Sequence, residues 1–224
     1  MAGSGEVFGG IEVTKTILCF GDSLTWGYEA VTGRRHAFEN RWPNAMGAVL
    51  GEGYRIIAEG LNGRTTVHDD HLVDENRNGS TALPMLLSSH QPLDLVIIML
   101  GSNDTKHPWW SRASDARRGM QRMVEIVQRF EWGVDMEAPK ILIMAPPPLV
   151  HTDLSDFDKM FGHAIKESQN FGKEYKNLAE LLGIAFFDAG SVIQSDPNDG
   201  VHFDRDSSRN LGEALAPLVK KLLG

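Results

Sequence analysis

Residues 16–23 read Thr-Ile-Leu-Cys-Phe-Gly-Asp-Ser, a mostly apolar run that ends in a polar turn. The apolar part, 16–20, is continuous rather than alternating, as is typical of a strand buried on both faces of a parallel sheet. Similar runs follow at 54–58, 93–100, 140–145 and 184–188. The sequence therefore predicts about five parallel strands.

Longer amphipathic segments lie between these runs. They predict helices near 41–50, 80–90, 114–132, 156–182 and 207–223. Alternating strands and helices indicate an α/β protein, a three-layer α/β/α sandwich of the flavodoxin-like kind with right-handed crossovers. No linker or change in composition divides the chain, so we expect a single domain over 14–224 that follows an N-terminal tail, 1–13.

The composition limits the classes of partner. The 224 residues carry a formal net charge of -8, which argues against nucleic acid and against an anionic membrane as partners. The longest uncharged apolar run, 95–100, is far shorter than a membrane span. Residues 1–12 contain no Lys or Arg and no sustained apolar stretch, unlike a secretory signal. These features predict a cytoplasmic protein.

Cys19 is the single cysteine of the chain, so no intramolecular disulfide can form. It lies inside the first apolar run, where a small buried side chain is expected rather than a nucleophile.

Polar segments follow the first three predicted strands, at 21–23, 62–66 and 101–104. In an open parallel sheet, ligands bind outside the carboxyl ends of the strands. We therefore expect these segments to carry the functional residues.

Ser23 follows the first strand at a turn entering a helix, where its hydroxyl can project from the sheet edge as a nucleophile. Taken alone, it could equally be a helix N-cap. Asp199-Gly200-Val201-His202 provides a base and a carboxylate to orient it, with a glycine that permits a tight turn. A solvated loop is the alternative for that segment.

Two further residues fit an oxyanion hole with the Ser23 N–H. Gly63 allows a backbone N–H to approach a substrate closely, and Asn103 offers a side-chain NH₂. Separately, Asn103 could be a turn former and Gly63 a left-handed turn position. Their joint position at the ends of successive strands favours catalysis of acyl transfer by Ser23, His202 and Asp199.

These segments resemble the ordered blocks of the SGNH (GDSL) hydrolase superfamily. Ser23 matches the serine of Gly-Asp-Ser-Leu, and Gly63 and Asn103 match the glycine and asparagine of the second and third blocks. Asp199 and His202 match the final Asp-x-x-His. Residues 18–27, 59–66 and 94–106 are most similar to the bacterial arylesterase and acyltransferase branch.

The resemblance implies hydrolysis of short-chain and aryl esters through an acyl-enzyme, with acyl transfer to alcohols or peroxide in some members. It also implies no cofactor, a small-molecule ester as substrate and a homo-oligomer. Some acyltransferase relatives carry Ala at the position of Gly63, so we expect hydrolysis more than transfer here.

The expected substrate pocket combines residues close to these blocks with residues on the segment after the fourth strand. Aromatic residues there could line an acyl or aryl pocket or cover a subunit interface. The pocket residues predicted are Asp22, Trp26, Thr66, His107, Trp109, Phe161 and Val201, with Trp110, Leu149 and Phe157 as further neighbours.

His68-Asp69-Asp70-His71 contains four side chains that could each ligate a divalent metal. Consecutive residues cannot all converge on one ion and no second cluster is evident, so we predict no metal site.

Besides lipase or thioesterase activity, which chain-length preference would expose, two other functions remain open from the sequence. Related folds remove acetyl groups from sugars, so a carbohydrate esterase is one. A non-catalytic flavodoxin-like binding domain is the other, although the chain has no G-x-x-x-x-G-K-[ST] and no G-x-G-x-x-G after the first strand.

Overall fold

A computed structural model describes residues 14–224 and contains one five-stranded sheet. The strands are β1 (Lys15–Gly21), β2 (Tyr54–Gly60), β3 (Leu95–Met99), β4 (Lys140–Ala145) and β5 (Ala185–Asp188). All neighbouring strands pair in parallel, in the order β2-β1-β3-β4-β5. This order is that of flavodoxin-like sheets, and the predicted number and direction of strands are confirmed.

Helices pack on both faces of the sheet, which confirms the three-layer architecture. The helices are α1 (Ser23–Trp26), α2 (Trp42–Leu50), α3 (Gly79–His90), α4 (Ala113–Arg129), α5 (Ser155–Phe161), α6 (Ile165–Ser168), α7 (Phe171–Leu182) and α8 (Arg205–Leu223). Side chains of α2 and α8 join the core on one face, and those of α3, α4 and α7 join the core on the other.

Successive residues of the central strands enter opposite cores, because side chains alternate across a strand. In β1, Ile17 and Cys19 pack on the α2 and α8 side, whereas Leu18 and Phe20 pack on the α3, α4 and α7 side. All four side chains are fully buried, which explains the continuous apolar run. Burial raises the pKa of the Cys19 thiol, as expected for a packed and protonated side chain.

The helix predicted over 156–182 is wrong as a single element. The structure divides it into α5, a 3-10 turn at Gly162–Ala164, α6 and α7. Phe161 leaves the helical region with φ -127°, and the Ser168 hydroxyl accepts a hydrogen bond from Leu149 N–H at 2.9 Å. That bond ties the break to the segment after β4, so α5 is turned over the carboxyl edge of the sheet.

A third apolar cluster forms where α5 crosses this edge. Its buried members are Leu149, Phe161, Ala164 and Val201, and Phe157 packs against them. It therefore supplies an apolar wall beside the strand ends.

The other predicted boundaries shift by up to three residues. The helix predicted over 114–132 ends at Arg129 because Phe130 takes an extended conformation, with ψ 136°. The tail predicted for residues 1–13 lies outside the described residues. Within residues 14–224, none of the helices combines the length and apolarity that a bilayer crossing requires.

Candidate active site

The carboxyl ends of β1, β2 and β3 and the segment after β5 meet at a cavity of about 180 Å³. The sequence places Ser23 after β1, the Gly63 loop after β2, Asn103 after β3 and His202 before α8. The cavity is lined by Ser23, Tyr28, Asn62, Gly63, Arg77, Asn103, Lys106, Phe157, Met160, Phe161, Val201 and His202. The structure thus brings four of the five predicted catalytic and oxyanion residues to one wall, and Asp199 lies behind His202.

Ser23 is the first residue of α1, and its neighbour Asp22 is the cap of that helix. The Asp22 carboxylate accepts a hydrogen bond from Leu24 N–H at 2.9 Å. Because Asp22 fills the capping role, the Ser23 hydroxyl is free for another partner, and its Oγ lies 2.8 Å from His202 Nε2. The alternative of a capping serine is therefore excluded.

A tight turn holds Asp199 against His202. Asp199 Oδ1 accepts hydrogen bonds from the N–H groups of Val201 and His202, both at 2.9 Å, and Oδ2 lies 2.6 Å from His202 Nδ1. Gly200 takes φ +78°, a left-handed conformation that favours glycine. The Asp-x-x-His spacing thus directs one carboxylate oxygen to the backbone and the other to the imidazole.

The charge of Asp199 is retained although the group is buried. Burial alone would raise the pKa of Asp199, but the hydrogen bond and charge of His202 and the two backbone N–H groups together lower it below its usual value. An ionised acceptor at Nδ1 leaves Nε2 as the acceptor for the Ser23 hydroxyl. This arrangement can remove a proton from Ser23 and stabilise the imidazolium that results.

Two aromatic rings hold the His202 imidazole in place. The ring of Tyr28 lies 4.2 Å from it, centroid to centroid, and the ring of Phe157 lies edge-on at 5.9 Å. His202 is 5% exposed. Exclusion of water strengthens the hydrogen bonds of the imidazole, and the two packed rings limit its rotation.

Gly63 and Asn103 face the same cavity as Ser23. Gly63 takes φ +78° in a turn closed by a hydrogen bond from Arg64 N–H to Leu61 O at 3.1 Å. Asn103 lies in a 3-10 turn, Ser102–Thr105, and its Nδ2 donates to Asp22 Oδ2 at 3.2 Å. That bond uses one of the two amide hydrogens and orients the other for a ligand.

Arg64 fixes the loop that carries Gly63. Its guanidinium lies 4.2 Å from the Phe20 ring centroid and donates to Gly21 O at 2.8 Å and to Glu59 O. Burial lowers the pKa of Arg64 to about 10, against the opposing effect of Glu59 and Asp22. Arg64 therefore joins the ends of β1 and β2 beside the cavity.

Asp22 does not line the cavity, which corrects its assignment to the substrate pocket. It is 1% exposed, and its two oxygens bind Leu24 N–H and the Asn103 amide instead. Burial raises its pKa to about 6, and the hydrogen bond from Leu24 and the charge of His202 oppose the shift. Asp22 acts by holding Asn103.

Of the other predicted pocket residues, Phe161 and Val201 line the cavity, whereas Thr66 and Trp26 do not. Thr66 is fully buried and binds the Asp104 carboxylate through its hydroxyl and N–H. The Trp26 ring packs under the Arg35 guanidinium, 4.9 Å from its centroid. Both side chains are thus engaged by protein partners outside the cavity lining.

His107 and Trp109 also lie outside the cavity lining. His107 packs edge-on against Trp110 at 5.4 Å, and Trp109 stacks on His68 at 5.5 Å. The rings of His107 and Trp109 thus pack against other side chains of the chain and do not line the cavity.

The cavity also contains residues that sequence reasoning did not assign to it. They are Tyr28, Asn62, Arg77, Lys106 and Met160. Asn62 adjoins Gly63, and Lys106 follows Asn103 by three residues, so their closeness in sequence to the predicted site residues was a signal that they line the cavity. Tyr28 follows Ser23 by five residues and held a similar signal, whereas Arg77 had none, because the long loop between β2 and α3 brings it to the site.

The side chains of the segment 68–71 diverge. His68 contacts Ser111, Asp69 accepts from Asn78, and Asp70 faces Arg77 and Lys106. Within the described part of the chain, no group of three or more His, Cys, Asp or Glu side chains could hold a metal ion.

Asp104 is a third buried carboxylate behind the site, after Asp199 and Asp22. Its oxygens accept from the Thr66 hydroxyl and, at 3.1 Å, from the Thr66 N–H. Burial raises its pKa to about 7, the Thr66 hydrogen bonds oppose this shift, and the charge of Asp22 adds to it. The folded protein therefore binds a proton at Asp104 more tightly than the unfolded chain does.

This raised pKa predicts a pH-dependent stability. Between about pH 5 and about pH 8 the folded carboxyl loses a proton that the unfolded chain has already lost, so the free energy of unfolding should fall by about 2–3 kcal/mol from this group. In Asp104→Asn that part of the fall should disappear. Urea unfolding of both proteins at the two pH values measures it, and parallel pH dependences would contradict the assignment.

Comparisons with known proteins agree with this geometry. A sequence model of the GDSL-like lipase/acylhydrolase family matches residues 19–208. A carbohydrate acetylesterase family member from Sinorhizobium meliloti is 48% identical, with TM-score 0.92, over 94% of this chain and 100% of that chain. The aryl esterase of M. smegmatis is 42% identical, with TM-score 0.89, over 94% of this chain and 100% of that chain.

A curated relative, the acetylxylan esterase of Xylanibacter ruminicola, is 23% identical over 219 residues, which are 91% of this chain and 43% of the relative. The chain thus spans less than half of that protein. The names of these relatives support ester hydrolysis as the chemistry of the site, and the resemblance of the sequence blocks is confirmed. On the family match and these identities, the chain belongs to the GDSL-like lipase/acylhydrolase family.

Proposed function

We propose that the protein is a serine esterase that hydrolyses short-chain and aryl carboxylic esters through an acyl-enzyme. The observation that carries this proposal is the hydrogen-bonded chain from Asp199 through His202 to Ser23 Oγ, with contacts of 2.6 and 2.8 Å. It ends at a cavity that also contains Gly63 and Asn103. A non-catalytic binding domain would have no need for this alignment.

The geometry supports a two-step mechanism. His202 Nε2 takes the Ser23 proton as Oγ attacks the ester carbonyl, and Asp199 stabilises the imidazolium. The oxyanion is held by the N–H groups of Ser23 and Gly63 and by Asn103 Nδ2, and removing one such donor typically costs on the order of 3 kcal/mol in barrier. The alcohol leaves with the proton from His202, and a water activated in the same way releases the acid.

The cavity supports small substrates. Its apolar wall consists of Phe157, Met160, Phe161 and Val201, and its volume of about 180 Å³ is below the range of about 300–1,000 Å³ typical of drug-sized ligands. A short acyl chain or a single aromatic ring is the size of group that fits this wall. The aryl esterase among the similar structures is consistent with this choice.

Carbohydrate acetyl esterase activity is the second candidate. Two observations favour it: an acetyl group fits a cavity of this volume, and two of the similar proteins are named as acetylesterases acting on carbohydrates. The chemistry at Ser23 would be the same, and the alcohol part of the ester would differ.

The acyl-enzyme on Ser23 could also transfer its acyl group to an acceptor other than water. An alcohol or peroxide can replace water in the second step, because both are nucleophiles that His202 can activate. We propose hydrolysis as the main outcome in water. The homo-oligomeric state and the cytoplasmic location stay predictions.

A substrate series tests this proposal. We expect kcat/KM to fall about tenfold or more from p-nitrophenyl butyrate to p-nitrophenyl octanoate, since the longer chain exceeds the cavity. Acetate release from acetylated xylan is measured alongside, with Ser23→Ala as the blank. Faster turnover of octanoate than of butyrate would contradict the short-chain assignment. Preference for xylan over p-nitrophenyl acetate would replace the first candidate with the second.

A further inference from the structure

The charged side chains that line the cavity are cations. Arg77 and Lys106 contribute the charges, and no Asp or Glu among residues 14–224 belongs to the lining. The chain as a whole has a formal net charge of -8, so this positive wall runs against its average charge. A positive wall in an acidic protein indicates a ligand of negative charge.

Arg77 reaches the cavity from the loop between β2 and α3. Its guanidinium lies against the loop that carries Gly63, since a Cβ built on Gly63 would meet Arg77 Nη1 at 2.8 Å. Nη1 is 3.4 Å from Asp70 Oδ2, and Nη2 is 3.8 Å from the exposed Glu75 carboxylate. Both contacts are longer than a direct charge-assisted hydrogen bond, for which about 2.7–2.9 Å is usual.

The guanidinium of Arg77 is also incompletely satisfied. Its Nε is buried and has no hydrogen-bond partner within residues 14–224. Buried polar groups are normally paired, so an unpaired one calls for an explanation. The Nε of Arg64, beside the same loop, is another such atom.

Lys106 follows the 3-10 turn that carries Asn103. Its side chain is 11% exposed, and its ammonium lies 4.9 Å from the Trp109 ring centroid and 3.7 Å from Asp70 Oδ2. Burial lowers the pKa of Lys106. The charge of Asp70 opposes this shift, and the charge of Arg77 adds to it. An additional anion in the cavity would therefore stabilise the charged form of the lysine.

One carboxylate serves both cations. Asp70 contacts Arg77 and Lys106 through the same oxygen, Oδ2, from outside the cavity lining. Glu75 lies on the solvent side with 58% of its side chain exposed, where water and salt screen its charge. Arg77 and Lys106 thus contribute to the cavity lining, whereas the Asp70 and Glu75 carboxylates lie outside it, in a neighbouring surface pocket that Arg77 also lines.

We propose that the preferred esters carry a carboxylate, which Arg77 and Lys106 bind while the ester carbonyl lies at Ser23. This inference rests on the proposed esterase function and specifies its substrate class. The carboxylate belongs either to the acyl part, as in a half-ester of a dicarboxylic acid, or to the alcohol part, as in an acylated hydroxy acid. In both cases the reaction is the same hydrolysis, and the carboxylate is unchanged.

Matched ester pairs distinguish these sources. The acyl arm compares the mono-4-nitrophenyl ester of succinic acid with its methyl ester, followed by nitrophenolate release. The alcohol arm compares 4-acetoxybenzoate with its methyl ester, followed by acetate release. In each arm the ratio of kcat/KM for the charged ester to that for the neutral ester is the readout, after subtraction of the Ser23→Ala rate.

We expect the wild-type ratio to exceed one in at least one arm, and Lys106→Met to lower that ratio about tenfold, the change that 1.36 kcal/mol makes in a rate. Lys106→Arg should preserve the ratio because it retains the charge. The matched control is Lys221→Met, which removes the same charge at the C-terminal end of α8, where Leu222 O meets Lys140 at the start of β4.

A purely structural role for the two cations makes a different prediction. Loosening of the loop would lower both rates of a pair equally and leave the ratios unchanged in Lys106→Met, which would overturn the proposal. If that variant does not fold, a salt series on the wild type decides. Added NaCl should lower the rate of the charged ester and spare the neutral ester, and equal responses overturn the proposal. Ser23-dependent turnover of neutral esters alone leaves the esterase function standing, whereas absence of any Ser23-dependent turnover removes both.

Discussion

Ser23→Ala is expected to lower kcat/KM for p-nitrophenyl acetate about 10⁴-fold or more, because no other group that residues 14–224 bring to the cavity replaces the attacking oxygen. The hydroxyl lies 2.8 Å from His202 Nε2, and alanine removes both the nucleophile and that hydrogen bond. The helix that begins at Ser23 should remain, since Asp22 is its cap. Steady-state kinetics with circular dichroism of the variant measure both effects.

The chain offers a matched control for this substitution. Ser111 Oγ lies 3.2 Å from His68 Nε2, so it is a second serine hydrogen-bonded to a histidine, outside the cavity lining. Ser111→Ala should leave kcat/KM within about twofold of the wild type, because Ser111 is half-buried outside the cavity lining. Activity of Ser23→Ala above one tenth of the wild type would show that Ser23 is not the nucleophile.

Asp199→Asn is the second large effect, an expected loss in kcat on the order of 10³–10⁴-fold. Asparagine can still accept the two backbone N–H bonds through Oδ1, so the turn should persist. Its NH₂ group, however, faces Nδ1 of His202 and favours the tautomer with the proton on Nε2. A protonated Nε2 cannot take the proton of Ser23.

Asp196→Asn is the control for this change. Asp196 lies in the same loop, and its side chain accepts hydrogen bonds from Asn198 rather than from His202. We expect activity within about twofold of the wild type for this variant. If the two asparagine variants had similar kcat values and melting temperatures, Asp199 would not be acting through the imidazole.

The sheet could be predicted from the sequence because its central strands are buried on both faces. Ile97 and Ile98 are both fully buried on opposite sides of β3, and such burial produces a continuous apolar run. The order of the strands is not contained in that pattern, since it depends on which runs pair in three dimensions. The break at Phe161 was also missed, because the Ser168 to Leu149 hydrogen bond that accompanies it is a tertiary contact.

The residues of the site likewise divide into those that the sequence could predict and those that it could not. Ser23, Gly63 and Asn103 each come shortly after a strand, so the fold itself places them at the carboxyl edge of the sheet. Arg77 approaches from a loop whose path no periodicity records, whereas Lys106 follows Asn103 by three residues. Trp26 illustrates the opposite error: it is close to Ser23 in sequence, but its ring packs under Arg35.

The nucleophilic role of Ser23 is tested most directly by covalent labelling. Folded protein is treated with a p-nitrophenyl phosphonate, a reagent directed to activated serines, and its mass is measured before and after digestion. We predict one adduct per chain, located on Ser23, and a strongly reduced labelling rate in His202→Ala because the base is lost. No adduct on the folded protein, or an adduct on another residue with Ser23 unmodified, would contradict this role.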